Sequence, residues 1–213
     1  GHLAVLYLFV FCSQFKPSEP FLVDYLVESK GLTNRQVYQS VFVLYVYARF
    51  PFNALVGALS ELPACGGPGV LALGAACGLA TALLTRFAQS LLAQQAAQFT
   101  VAAAFTSRYA VMAVAAGLSP PAQLQQTIHT TKAFLLLSNC CSALLGELLR
   151  DAAGVPLAVL FDADVAGQAL TLVLALLLVL AGRARGPEPE PPRRREWVEV
   201  AEVSAAAAAT AAA

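Results

Sequence analysis

The chain has 213 residues, 58% of them hydrophobic and 12% charged, with 13 basic residues balancing 13 acidic ones. Soluble domains carry roughly 25% charged residues, so this composition argues against a water-facing fold and makes the lipid bilayer the expected solvent. A net charge near zero with no basic face also argues against nucleic acid as a partner.

A membrane helix needs about 20 mostly apolar residues, and about six such stretches follow along the chain. The first, residues 3–26, is interrupted by Lys16-Pro-Ser-Glu-Pro20. Charges at bilayer depth are costly and persist mainly where they face a bundle interior or a solute path. Helix-breaking prolines survive there only where protein or a water-lined cavity satisfies the freed backbone groups. The second stretch, residues 37–62, carries Arg49, Pro51 and Asn53 and closes with Glu61. Cys65-Gly-Gly-Pro-Gly69 predicts a tight turn before the third stretch, residues 70–84, which Arg86 ends. The fourth, residues 91–118, holds Gln94, Gln95, Gln98 and Arg108. Ser119-Pro-Pro-Ala122 then leads toward the fifth, residues 133–149, with Lys132 at its head. The sixth, residues 155–180, has Asp162 and Asp164 near its entry, where an interfacial position is expected. Clusters of small residues, Gly74 to Gly78 and Ala102 to Ala104 among them, permit the close helix approach that lipid favours.

Residues 1–182 therefore predict a transmembrane bundle, and residues 183–213 a polar and then Ala-rich tail with no packed structure. Arg183, Arg185 and Arg193 to Arg195 predict a cytoplasmic tail. An even number of spans places the N-terminus on the same side, with residues 28–35 outward. The apolar opening after Gly1-His2 suggests a fragment or trimmed gene model, not a signal peptide, because no basic region precedes it. The five cysteines follow no metal or redox spacing.

Lys16 and Glu19 lie three apart and would share a face of a continuous helix. They read either as an internal ion pair or as a substrate or gating site, with Pro17 and Pro20 predicting local unwinding that exposes carbonyls to a solute. Arg108 lies ~15 Å from either end of its span at 1.5 Å per residue, too deep to snorkel easily. Its planar fork needs a carboxylate partner, Glu19 or Glu61, or an anionic ligand. Gln98 could hydrogen-bond a heterocycle or a neighbouring helix. Glu61, Lys132 and Arg49 are candidate gate or cavity residues, with interfacial positions as the plainer alternative. No nucleophile–base set, metal cluster or phosphate loop is visible, so an enzyme is not expected and no cofactor is implied.

The run Gln14-Phe-Lys-Pro-Ser-Glu-Pro-Phe-Leu-Val-Asp-Tyr-Leu26, followed by Leu32-Thr-Asn-Arg-Gln-Val37, resembles the first helix and outer loop of the reduced folate carrier and thiamine transporter family. Glu61, Arg108, Lys132 and the Leu144-Leu-Gly-Glu-Leu-Leu149 run fall on further family positions. The resemblance implies an all-α membrane protein, the six-helix half of a major-facilitator-type carrier built from two three-helix repeats. It implies transport of a vitamin by alternating access across the plasma membrane. The missing C-terminal half, or a second copy, would complete the carrier. In this family the position of Arg108 is basic in folate carriers and acidic in thiamine carriers, so a reduced folate or related organic anion is the expected substrate. Gln98 stands where folate carriers have a glutamate, Val101 where they have a tyrosine, and the basic loop after the fourth helix is absent. Lys16, Glu19, Gln98 and Arg108 are thus the expected substrate contacts. Thiamine transport, or a non-transporting six-helix scaffold, are the competing expectations.

Overall fold

In lipid the backbone has no partner but itself, so each long apolar stretch stays helical. The computed structural model describes residues 1–62 and 65–184. Five helices are long and apolar enough to cross a membrane: α2 (Asn34–Ser60), α3 (Gly66–Phe87), α4 (Leu91–Leu118), α5 (Pro121–Ala152) and α6 (Leu157–Arg183). The first span is broken, as its prolines predict. It consists of α1 (His2–Gln14), a non-helical segment at residues 15–18, and helical turns at Glu19–Phe21, Leu22–Asp24 and Tyr25–Ser29. No strand occurs among the described residues, and the chain is an all-α membrane protein. The expected tail lies outside the described residues beyond residue 184.

Two boundaries differ from the sequence reading. α5 begins at Pro121, well before residue 133, because proline suits a first helical position while the polar run Gln123 to His129 hides the helix from hydropathy. The turn expected at residues 65–69 shrinks to Gly66, at φ +57°, and Pro68 already sits in the first turn of α3. Elsewhere the local chemistry is direct. Gly31, at φ +69°, closes the first span, a conformation that favours glycine. Thr33 and Gln36 then form a reciprocal capping box that starts α2.

The break in the first span follows from Pro17. Proline has no N–H, so the Ser13 carbonyl loses its helical partner. Neighbouring helices take up the freed groups. The Lys16 N–H donates to Ser142 Oγ at 2.9 Å, the Ser18 N–H to Asp164 Oδ1 at 3.4 Å, and the Ser18 hydroxyl to Asp164 Oδ2. Ser138 Oγ also donates at 2.6 Å to the Phe11 carbonyl, which keeps its helical bond from the Phe15 N–H at 3.1 Å. Ser138, Ser142 and Gly146 recur every four residues and share one face of α5. A Cβ on Gly146 would lie 2.3 Å from the Pro17 carbonyl oxygen. Gly146→Val is therefore expected to destabilise the bundle by about 1–3 kcal/mol through overpacking. Thermal unfolding in detergent measures this, and an unchanged midpoint would refute the close crossing.

Apolar packing is divided between two levels. At one, Leu6 and Phe9 of α1 meet Val70 and Leu71 of α3, Val111 and Val114 of α4, and Leu174 and Leu178 of α6. At the other, Tyr25 packs with Leu157 and Phe161 at the start of α6, and Leu26 with Val37 and Val41 of α2. Residues 15–18 lie between these levels. Phe50, Leu92 and Tyr47, all more than 70% exposed, lie outside the core, as lipid-facing side chains do.

Candidate functional site

The helical ladder of α4 tightens where the first span is broken. Tyr109 N–H bonds to the Thr106 carbonyl at 3.1 Å, and Val111 N–H to the Arg108 carbonyl at 3.0 Å. These three-residue steps mark a local departure from α-helix, so Arg108 sits at an interruption, not within the continuous helix the sequence suggested. The two interruptions meet. Arg108 Nη2 donates to the freed Ser13 carbonyl at 2.8 Å, and Nη1 donates to Gln14 Oε1. Gln168 Nε2 approaches the same carbonyl at 3.5 Å. Discontinuous helices facing one another in this way are a recurrent means of building solute sites in membrane carriers.

Between them lies a cavity of about 240 Å³. Lys16 and Glu19 of the broken span, Gln98 and Arg108 of α4, and Asp164 and Gln168 of α6 supply its polar lining. Tyr45, Phe105 and Phe161 supply aromatic walls, and Thr81 and Thr85 of α3 contribute hydroxyls. The guanidinium carbon of Arg108 lies 4.2 Å from the Phe105 ring centroid, and Lys16 Nζ lies 5.0 Å from the same centroid. Two cations thus lie against one aromatic ring. Neither has a carboxylate within 4 Å among the described residues, where the ion pair is Arg86 with Asp162 at 2.6 Å.

The structure brings all four expected substrate contacts, Lys16, Glu19, Gln98 and Arg108, onto one cavity. Lys16 and Glu19 do not form the alternative internal ion pair, and Arg108 pairs with neither Glu19 nor Glu61. The other three candidates lie elsewhere. Glu61 is exposed at the end of α2, and Lys132 is exposed on α5. Arg49 donates to the Tyr109 hydroxyl at 3.0 Å and lies 5.5 Å from the centroid of Tyr45, outside the cavity lining. Gln94 and Gln95 serve helix contacts, reaching the Ala88 and Ser40 carbonyls at 3.0 and 3.1 Å.

Asp164 overturns its expected interfacial position. It is buried, lines the cavity and holds Ser18 of the broken span. The recoverable signal was Asp164-Val-Ala-Gly-Gln168, two polar residues four apart on one face of an otherwise apolar helix. Among the described residues no group of three or more His, Cys, Asp or Glu side chains could hold a metal ion. The cavity therefore offers a solute two cationic groups, two carboxylates, two amides and an aromatic wall.

Comparison with known proteins places the chain among transporters. The sequence profile described as Reduced folate carrier matches residues 2–184. A folate-like transporter of Dictyostelium discoideum is 26% identical over 165 residues, covering 78% of this chain and 29% of its own. Thiamine transporter 2 of Mus musculus is 25% identical over 167 residues, covering 76% of this chain and 33% of its own. The matched chain spans about a third or less of the length of these relatives. The profile and both relatives describe transporters, not enzymes.

Proposed function

Since the chain belongs to the reduced folate carrier family, we propose that it forms the N-terminal half of a vitamin carrier for a reduced folate or related organic anion. Transport proceeds by alternating access, with no chemistry on the solute. One observation carries this reading: Lys16 and Arg108 both lie against the Phe105 ring on one cavity, with no carboxylate within 4 Å among the described residues. Half-buried cations without an acidic partner are costly at membrane depth, and an anionic solute supplies that partner. Lys16, Glu19, Gln98 and Arg108 form the substrate site. Glu61 follows Leu59 and Lys132 precedes Phe134, both of which pack against the core cluster that contains Leu6 and Phe9 of α1, and these two charged residues act as gate residues at the cytoplasmic side. Arg49 supports the Tyr45 wall from behind. The setting is the plasma membrane with both termini cytoplasmic, residues 1–182 forming the bundle and residues 183–213 the tail. A C-terminal half or a second copy completes the path.

Thiamine is the rival solute, favoured by the likeness to thiamine transporter 2 and by the carboxylates of Glu19 and Asp164 on the same cavity. Competition binding to the purified chain in lipid nanodiscs separates them. Labelled 5-methyltetrahydrofolate is expected to bind and to resist displacement by thiamine. Selective binding of thiamine would overturn the anionic reading. In the same assay, neutralising Glu61 or Lys132 should leave affinity unchanged, as a gate role requires.

A further inference from the structure

The cavity has a second chemical character that the basic residues do not explain. Asp164 is 7% exposed, and its hydrogen-bond partner among the described residues is Ser18 alone. A carboxylate offers about four lone-pair sites, and Ser18 occupies two of them, one through a long 3.4 Å contact. Gln168, one helical turn on, directs its Nε2 at the Ser13 carbonyl, while its Oε1 accepts from no donor among the described residues. That oxygen lies against α3, where a Cβ on Gly78 would be 2.6 Å away, so only glycine leaves it room. α6 thus presents a carboxylate and an amide oxygen to the cavity on one face, while α4 presents Arg108. A carboxylate with free lone pairs matches the paired, parallel N–H donors of an amino-substituted nitrogen heterocycle, as it matches a guanidinium fork. The rings of Phe105, Tyr45 and Phe161 suit the flat body of such a molecule.

We propose that Asp164, assisted by Gln168, selects the ring end of the solute by accepting N–H donors from an amino-substituted heterocycle. Arg108 and Lys16 hold the anionic end. This rests on the cavity being the solute site. The test measures binding of three probes to the chain in nanodiscs: 5-methyltetrahydrofolate, N-benzoyl-glutamate (an anionic tail without the heterocycle) and thiamine. Asp164→Asn is expected to weaken 5-methyltetrahydrofolate about 10- to 100-fold, the scale of a lost hydrogen bond to a charged group, and to leave N-benzoyl-glutamate unchanged. No loss, or an equal loss for both ligands, overturns the proposal. If the wild type binds thiamine instead and Asp164→Asn removes that binding, the anionic reading falls while the role of Asp164 stands. A wild type that binds none of the three refutes both. Asn keeps an oxygen for the Ser18 hydroxyl, so the variant should fold. Should it not, Gln168→Met carries the test: the ratio of the two folate-side affinities must shift in the same sense, and an unchanged ratio overturns the assignment.

Discussion

Arg108→Glu is expected to abolish binding and uptake of an anionic folate. The substitution removes the donors that now meet Ser13 and Gln14. It also sets a carboxylate on a cavity that already contains Glu19 and Asp164. Two like charges 4 Å apart repel by about 4 kcal/mol at an effective dielectric of 20, which corresponds to roughly a thousandfold loss of affinity. Arg108→Gln separates charge from scaffolding, because an amide can still donate to the Ser13 carbonyl. It should cost an anion about 10- to 100-fold, the range of a charge-assisted bond, with little change in the unfolding midpoint. Equilibrium binding with a matched thermal melt measures both. Normal affinity in Arg108→Glu would remove the basis for an anionic solute.

Pro17→Ala is expected to weaken binding about 100-fold while raising thermal stability. Alanine restores an N–H whose helical acceptor is the Ser13 carbonyl, now bonded to Arg108 and approached by Gln168. Proline in a helix interior is about 3 kcal/mol less favourable than alanine, so α1 gains a strong tendency to continue. The bonds from Lys16 to Ser142 and from Ser18 to Asp164 oppose that extension. Pro20 restricts Glu19 before it, so any extension stops short of the following turns. Lys16 would then rotate away from Phe105, and the site would lose its shape as the helix gained order, the usual trade between stability and function. A variant that binds like the wild type would show that the break is incidental.

Much of this was legible in the sequence because the prolines and charges of residues 16–20 conflict with lipid, and the conflict has few physical solutions. Lys16, Glu19, Gln98 and Arg108 were each out of place in an apolar span, and all four line the cavity. What could not be read was the partner of each. Hydropathy gives the depth of Arg108 but not its bond to a backbone carbonyl, because that acceptor exists only once Pro17 has freed it. Asp164 was misplaced for a related reason. Nearness to the start of a span suggests an interface, yet α6 begins at Leu157 and carries Asp164 nearly two turns inward. The three-residue steps at Arg108 carry no composition signal, since neither glycine nor proline marks them.

The Ser13 carbonyl oxygen has two suitors. Arg108 approaches to 2.8 Å and Gln168 to 3.5 Å, so the first holds it firmly and the second only loosely. A solute that drew the guanidinium away would leave the Gln168 amide as the donor nearest that oxygen among the described residues.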